Sequence, residues 1–232
     1  MTAERGIALI LALLFTSFLS AVGLGLAIVV FMDRLATGNV KGAVGLAHAA
    51  EAGIALAAHE LARANWPALL QGAEQATFSD GSPNGVRAIP GGGVVNLTAE
   101  TNTLNCGKTT ACTATQMNAN SDERPWGVNN PRWRLYAYGA FGNLAALARP
   151  VPCFLAVWIA DDSAEDDGDP ETDGELEGRG VLRVRAVAYG PMGGRQAVEA
   201  ELTRVCSGVP RDEICQPGIR VQSWQEVRQL VP

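Results

Sequence analysis

An acidic stretch between residues 161 and 177 is the part of the sequence with the clearest potential for chemistry, since it holds ten acidic and no basic residues. From Asp169 it reads DPETDG, with acids at the first, third and fifth positions and glycine at the sixth. This matches the first half of an EF-hand loop, whose alternate oxygens converge on a hard cation. Ca2+ would also relieve the repulsion among the carboxylates. The pattern predicts a calcium site with these candidate ligands: Asp167, Asp169, Glu171, Asp173 and Glu175.

The same stretch departs from a complete EF-hand at two positions. The twelfth position of the motif is Gly180, where an EF-hand has a bidentate glutamate, and Pro170 disfavours the entering helix. A solvated acidic loop without metal is therefore the alternative. Calorimetric titration with Ca2+ distinguishes the two, because the solvated loop would give no heat of binding.

The two histidines do not form a recognisable catalytic set. His59-Glu60 begins an HExxH zinc motif, but Arg63 occupies the second histidine position. His48 and Glu51 lie three residues apart, which predicts a polar contact on a helix. The sequence contains no nucleophile elbow, P-loop or dinucleotide fingerprint, and the glycines at 91–93 follow a proline and begin no helix. We therefore expect a protein that is not an enzyme.

The five cysteines form two close pairs and one solitary residue, Cys153. Cys106 and Cys112 lie in NCGKTTAC, and Cys206 and Cys215 lie in VCSGVPRDEIC. Neither pair has the CxxC spacing typical of zinc sites, and both lie in loop-like sequence. Two local disulfides in an oxidising compartment are expected, which leaves Cys153 buried or differently paired.

The net charge of -6 is concentrated in the acidic stretch. Outside it, 18 basic residues face 14 acidic ones, so the rest of the chain is close to neutral. This distribution lacks the basic surface that nucleic-acid binding requires.

The amino-terminal part of the sequence predicts one long helix. Residues 7–31 contain no charge, and about 20 apolar helical residues cross a bilayer. A secretory signal peptide has a shorter apolar core, so this segment is predicted to stay in the membrane. Residues 32–64 are rich in alanine and leucine with scattered polar residues, which extends the helix to about residue 64.

The remaining residues, 65–232, predict one soluble domain. Residues 66–130 are rich in turn signals, and only short strands such as 93–98 are expected there. Residues 132–141, 153–160, 181–190 and 196–205 then have strand character, and a PMGG turn joins the last two as a hairpin. The predicted fold class is α+β, with an antiparallel sheet of about four strands covered by the distal half of the long helix.

The leader MTAERG before this apolar run resembles the class III leader of type IV pilins and type II secretion pseudopilins. The resemblance implies that prepilin peptidase cuts between Gly6 and Ile7 on the cytoplasmic side, and that the new amino terminus is methylated. The hydrophobic helix would then serve as membrane anchor and as packing element of a filament. Arg5 favours a cytoplasmic amino terminus and a periplasmic domain by the positive-inside tendency, although Arg34 and Lys41 oppose it.

Three further segments are similar to PilX-type minor pilins: AHAAEAGIALAAHELA, VWIADD with the hairpin after it, and VQSWQEVRQL. Major pilins carry glutamate at the fifth mature position, where this chain has Leu11, and many PilX-type pilins share that absence. The resemblance implies a structural subunit that helps initiate type IV pilus assembly at the inner membrane and ends at the pilus tip. Its implied partners are other minor pilins, the major pilin, a tip adhesin, prepilin peptidase and the inner-membrane assembly platform.

Two other functions fit parts of the sequence. A tip pseudopilin of type II secretion has a similar leader, but such a protein is expected to carry a larger helical insertion. A membrane-anchored periplasmic binding protein or enzyme would need a deep polar pocket.

Overall fold

The computed structural model describes residues 3–74, 76–119, 132–144, 151–161, 180–207 and 214–227. The chain divides into two compact units, residues 1–42 and residues 43–232. Helix α1 (Ala3–Leu61) begins in the first unit and ends in the second.

In the first unit, α1 exposes every large apolar side chain that the structure describes. Its most apolar 18-residue window has a mean hydropathy of 2.3. By length and composition, this helix can cross a membrane, as the sequence predicts.

The second unit contains four short helices, a small hairpin and a larger sheet. The helices are α2 (Trp66–Leu70), α3 (Leu97–Cys106), α4 (Ala114–Ala119) and α5 (Phe141–Leu144). Strands β1 (Val86–Ala88) and β2 (Val94–Asn96) form the small antiparallel hairpin. The larger sheet contains β3 (Arg134–Ala140), β4 (Phe154–Asp161), β5 (Val181–Tyr189), β6 (Arg195–Ser207) and β7 (Ile214–Glu226).

The larger sheet is an antiparallel meander in which each strand pairs with the next one along the chain. The predicted α+β class is confirmed, and the four expected strands correspond to β3 to β6. The sheet has five strands instead of about four, because the segment that contains Cys215 and the residues after it adds β7.

Residues 43–61 of α1 cover one face of this sheet. Ala50, Ile54 and Leu61 are buried there in one apolar core with Leu155 and Val184. Gly53 lets the helix come close to the strands. A Cβ atom at Gly53 would lie 2.9 and 3.0 Å from the Cδ atoms of Leu155 and 3.1 Å from the Cβ atom of Ala186.

The turn between β5 and β6 contacts the same helix. Residues Pro191–Gly193 form a 3-10 turn in which Met192 has a φ of 56°. A Cβ atom at Gly190 would lie 2.8 Å from Leu46, and one at Gly194 would lie 3.0 Å from it. Leu46 therefore fits against a part of the turn where only glycine leaves room.

The opposite face of the sheet is covered by α3 and the β1–β2 hairpin. Ile89, Val95 and Leu97 form a second apolar core with Trp158 and Tyr189. Because both faces are covered, all eight residues of β4 are buried. The sequence did not predict α3, which lies in the segment expected to contain only loops and short strands.

We expect Gly53→Ala to lower the free energy of unfolding by about 1–3 kcal/mol, the usual cost of overpacking a core. The added methyl group would contact Leu155 and Ala186, whereas one added at Gly42 would meet no atom within 4 Å. Gly42→Ala is the matched control and should leave stability unchanged or raise it, since alanine favours helix. Urea titration of both variants in detergent measures the difference, and equal effects would contradict the close packing at Gly53.

Candidate functional site

The predicted processing junction lies within α1. Gly6 and Ile7 are both helical, and the Ile7 side chain is exposed. Leu11, at the position where major pilins carry glutamate, is also exposed. The side chains of residues 1–6 lie outside the described part of the chain.

The predicted calcium ligands lie outside the described residues, which stop at Asp161 and resume at Gly180. Asp161 itself is buried at the end of β4. Among the residues that the structure describes, no group of three or more histidine, cysteine or acidic side chains could hold a metal ion. The calcium site therefore stays a prediction.

The polar residues of the distal helix make local contacts. His48 Nδ1 lies 2.9 Å from Glu51 Oε2, which confirms the predicted contact; the His48 side chain is largely exposed and that of Glu51 is about half-exposed. Glu60 accepts hydrogen bonds from Thr77, through its backbone and its hydroxyl, and from the Tyr136 hydroxyl at 3.1 Å. Burial and the neighbouring Glu60 carboxylate raise the pKa of Tyr136 well above its ordinary value. Glu60 thus ties the loop after α2 to both α1 and β3.

Three charged side chains are buried between β5 and β6. Glu199 accepts hydrogen bonds from Arg183, at 3.1 Å from its Nε and again from its Nη2, and from Arg185 Nη1 at 3.2 Å. Arg183 also stacks over the ring of Trp133, 5.4 Å from its centroid. Burial lowers the pKa of Arg185, while the Glu199 charge opposes that shift. One buried carboxylate therefore lies between two guanidinium groups on the second face of the sheet.

A second polar cluster joins α3 to the same face. The Glu100 carboxylate lies 2.7 Å from Arg195 Nη2 and accepts a 2.9 Å hydrogen bond from the Tyr189 hydroxyl. Burial raises the pKa of Tyr189 well above its ordinary value. One residue further along, the Thr101 hydroxyl accepts a 2.9 Å hydrogen bond from Trp158 Nε1. The side-chain amide of Asn105 makes two hydrogen bonds with the backbone of Trp133. Its oxygen accepts from the Trp133 nitrogen at 2.8 Å, and its nitrogen donates to the Trp133 carbonyl oxygen at 2.9 Å.

The start and end of α3 are both defined by local interactions. The side chain of Asn96 caps the first turn by accepting from the backbone nitrogen of Ala99 at 3.1 Å. At the other end, Gly107 takes the left-handed conformation with a φ of 69°. A disulfide between Cys106 and Cys112 follows directly and confirms the first predicted pair.

The other cysteines lie in the sheet region. Cys153 is a free, buried thiol, and burial raises its pKa to about 11. Cys206 and Cys215 occupy directly opposed positions in the β6–β7 ladder instead of the expected loop. Opposed Cα atoms in antiparallel strands are about 4.5–5.5 Å apart, within the range of disulfides. Their side chains lie outside the description, so this second disulfide stays a prediction.

A depression of about 490 Å³ lies between α3, β3 and the loop after α2. Its lining includes Glu74, Arg132 and Arg134, together with Thr101 and Asn105, whose polar atoms already bond other protein groups. The described lining contains no histidine, cysteine or serine.

Comparison with protein-family models, curated proteins and solved structures finds no match to this chain. The case for a function therefore rests on the residues of the chain itself.

The buried charges were not predicted, although the sequence of the hairpin contains a charge pattern that indicates them. The predicted hairpin around PMGG already places Arg183 and Arg185 on one strand opposite Glu199 and Glu201 on the other. The observed register pairs Arg183 with Glu201 and Arg185 with Glu199. Opposite charges facing each other across a hairpin favour that register.

We expect Glu199→Gln to lower the free energy of unfolding by about 3–5 kcal/mol, because it removes a buried carboxylate that contacts both Arg183 and Arg185. Glu201→Gln is the matched control on the same face of β6 and should change stability by less than about 0.5 kcal/mol. Urea titration of both variants measures the difference. A small effect at Glu199 would contradict its role as the main counter-charge of Arg185.

Peptide mapping without reduction should recover one linked peptide pair with Cys106 and Cys112 and another with Cys206 and Cys215. Cys153 should react with iodoacetamide only after unfolding, because its buried thiol forms little thiolate near neutral pH. A linkage from Cys153 to any other cysteine would contradict this pattern.

Proposed function

We propose that this chain is a structural minor pilin of the PilX type, a non-enzymatic subunit that helps initiate assembly of a type IV pilus. The observation that carries the proposal is that α1 has two parts with different surroundings. Its described side chains up to Gly42 are exposed and mostly apolar, whereas residues 43–61 supply one core of the sheet domain. A helix of this kind serves both as an anchor and as part of a folded domain.

The apolar part of α1 suits two successive environments. A helix that is apolar on all sides is stable in lipid, and it is equally stable when neighbouring helices replace the lipid tails. Passage from the membrane into a filament is then an exchange of one set of apolar contacts for another. The many small residues of this segment, including Gly23 and Gly25, favour close helix packing.

Processing and topology follow from the leader. Prepilin peptidase would cut after Gly6 in the cytoplasm and leave a methylated Ile7, while the sheet domain lies in the periplasm. The disulfide between Cys106 and Cys112 supports an oxidising compartment for that domain. Before assembly the protein is a single-pass inner-membrane protein.

Leu11 supports a place at the tip of the pilus. A carboxylate at this position can neutralise the amino terminus of the subunit above, and leucine cannot. A subunit without that carboxylate fits the first position, where the other minor pilins, the major pilin and a tip adhesin would contact it. Immunogold labelling spread evenly along purified pilus shafts would contradict this position.

We expect mass spectrometry of the membrane-extracted protein to show a methylated Ile7 at the amino terminus in cells with prepilin peptidase. Cells without the peptidase should retain Met1, and Gly6→Val should block processing, since the leader of this family ends in glycine. Gly23→Val is the matched control and should be processed normally. An intact Met1 in both strains would contradict processing by the peptidase and would leave the helix with the role of a membrane anchor.

A further inference from the structure

The two edges of the five-stranded sheet differ in their protection. At the β3 edge, Ser79 forms a parallel bridge with Tyr138, whose carbonyl oxygen accepts a 2.9 Å hydrogen bond from the backbone of Asp80. At the other edge, β7 is 13 residues long and is the last strand in the sheet order. Within the described parts of the chain, no strand pairs with the outer side of β7. Unpaired N–H and C=O groups along such an edge form a template for another strand.

The side chains of β7 divide between the two faces of the sheet. Val221 lies opposite Leu202 and Trp224 opposite Ala200, and both partners belong to the core beneath α1. Val221 and Trp224 therefore point to the helix side, where they remain 47% and 45% exposed. The register skips Gln222, which forms a bulge between them.

Two opposite charges bracket this exposed apolar pair. Arg220 lies opposite Thr203, on the face away from α1, and Glu226 lies opposite Val198, on the helix side. Within the described part of the chain, the side chains of Arg220 and Glu226 make no hydrogen bond or ion pair. The exposed edge therefore carries a pattern of its own: a base, two apolar side chains and an acid.

We propose that the outer edge of β7 binds an extended segment of a partner protein, which joins the sheet as a sixth, antiparallel strand. Backbone hydrogen bonds supply the affinity in such strand addition, and alternate side chains supply the specificity. The partner segment carries apolar residues opposite Val221 and Trp224, an acid opposite Arg220 and a base opposite Glu226. This inference goes beyond the proposed pilus role and does not depend on it.

A second copy of the same chain fits this edge less well. Two copies that pair their β7 edges antiparallel are related by a two-fold axis perpendicular to the sheet. Such an axis leaves each side chain on the same face of the combined sheet. Arg220 and Glu226 lie on opposite faces because of the bulge at Gln222, so two copies of β7 could not pair these charges. The pattern therefore favours a different polypeptide.

A tethered probe strand tests the proposal with the full-length protein in detergent. The probe Thr-Lys-Thr-Val-Thr-Ile-Glu-Thr follows Pro232 through a flexible linker of about ten Gly and Ser residues, which gives a millimolar effective concentration. Folded back antiparallel, its Lys lies opposite Glu226, its Val and Ile opposite Trp224 and Val221, and its Glu opposite Arg220. The control fusion replaces the Val and the Ile of the probe with Pro, because the N–H groups of these two residues face β7 and proline cannot donate hydrogen bonds.

We expect the outward-facing amides of Val221, Trp224 and Glu226 to exchange about tenfold more slowly in the probe fusion than in the proline fusion, from the added backbone hydrogen bonds. Arg220→Glu in the probe fusion should reduce that protection about two- to fivefold, and changing the probe Glu to Lys should restore it. Equal exchange in the two fusions would overturn strand addition. If neither Arg220→Glu nor the change of the probe Glu to Lys alters the amide protection, the proposed partner chemistry would be overturned. Light scattering that shows a wild-type dimer, with β7 protected only at high protein concentration, would assign the edge to a second copy and overturn the proposal.

Discussion

The burial of β4 on both faces is the constraint on which the rest of the domain depends. All eight of its residues are buried, so each face of the sheet needs its own cover. Residues 43–61 of α1 supply the first cover with small and aliphatic side chains, and Gly53 brings the helix close enough to fill the space. The second cover is α3 with the β1–β2 hairpin. Without either layer, apolar side chains of the central strand would face water, at a cost of about 1.5–3 kcal/mol for each large one.

The two covers are attached by different interactions, and this explains which of them the sequence predicts. The helix-side cover is an apolar stripe with helical spacing, a pattern that can be recognised in a single sequence. By contrast, α3 has few apolar residues and is held by Glu100, Thr101 and Asn105, whose partners lie on distant strands or directly before one. Such contacts leave no periodic signal in the sequence. The continuous apolar run of β4 did contain the missing information, since a strand without polar alternation is typical of burial on both faces.

The candidate site was less predictable than the fold. The contact of His48 with Glu51 and the disulfide at Cys106 depend on residues close together in sequence, and both were predicted. The position of the Glu199 carboxylate between two arginines depends on the register of the β5–β6 hairpin. The turn sequence fixes that register, but the prediction did not use it to pair the charges. The exposed edge of β7 depends on the order of the strands and on the bulge at Gln222, and neither follows from residue type alone.

The contacts of Leu46 and Gly53 also fix the helix along its own axis. Leu46 lies against the glycines of the β5–β6 turn, and Gly53 lies against Leu155 and Ala186 about ten Å further along the helix, at 1.5 Å per residue. A shift of one helical turn, 5.4 Å, would bring Ala49 or Ala57 to the place of Gly53 and would move Leu46 away from the turn glycines. A tensile load on α1 is therefore passed to β4 and β5 in shear, across many contacts at once. Pulling along the helix axis would therefore have to break the contacts of Leu46 and of Gly53 at the same time.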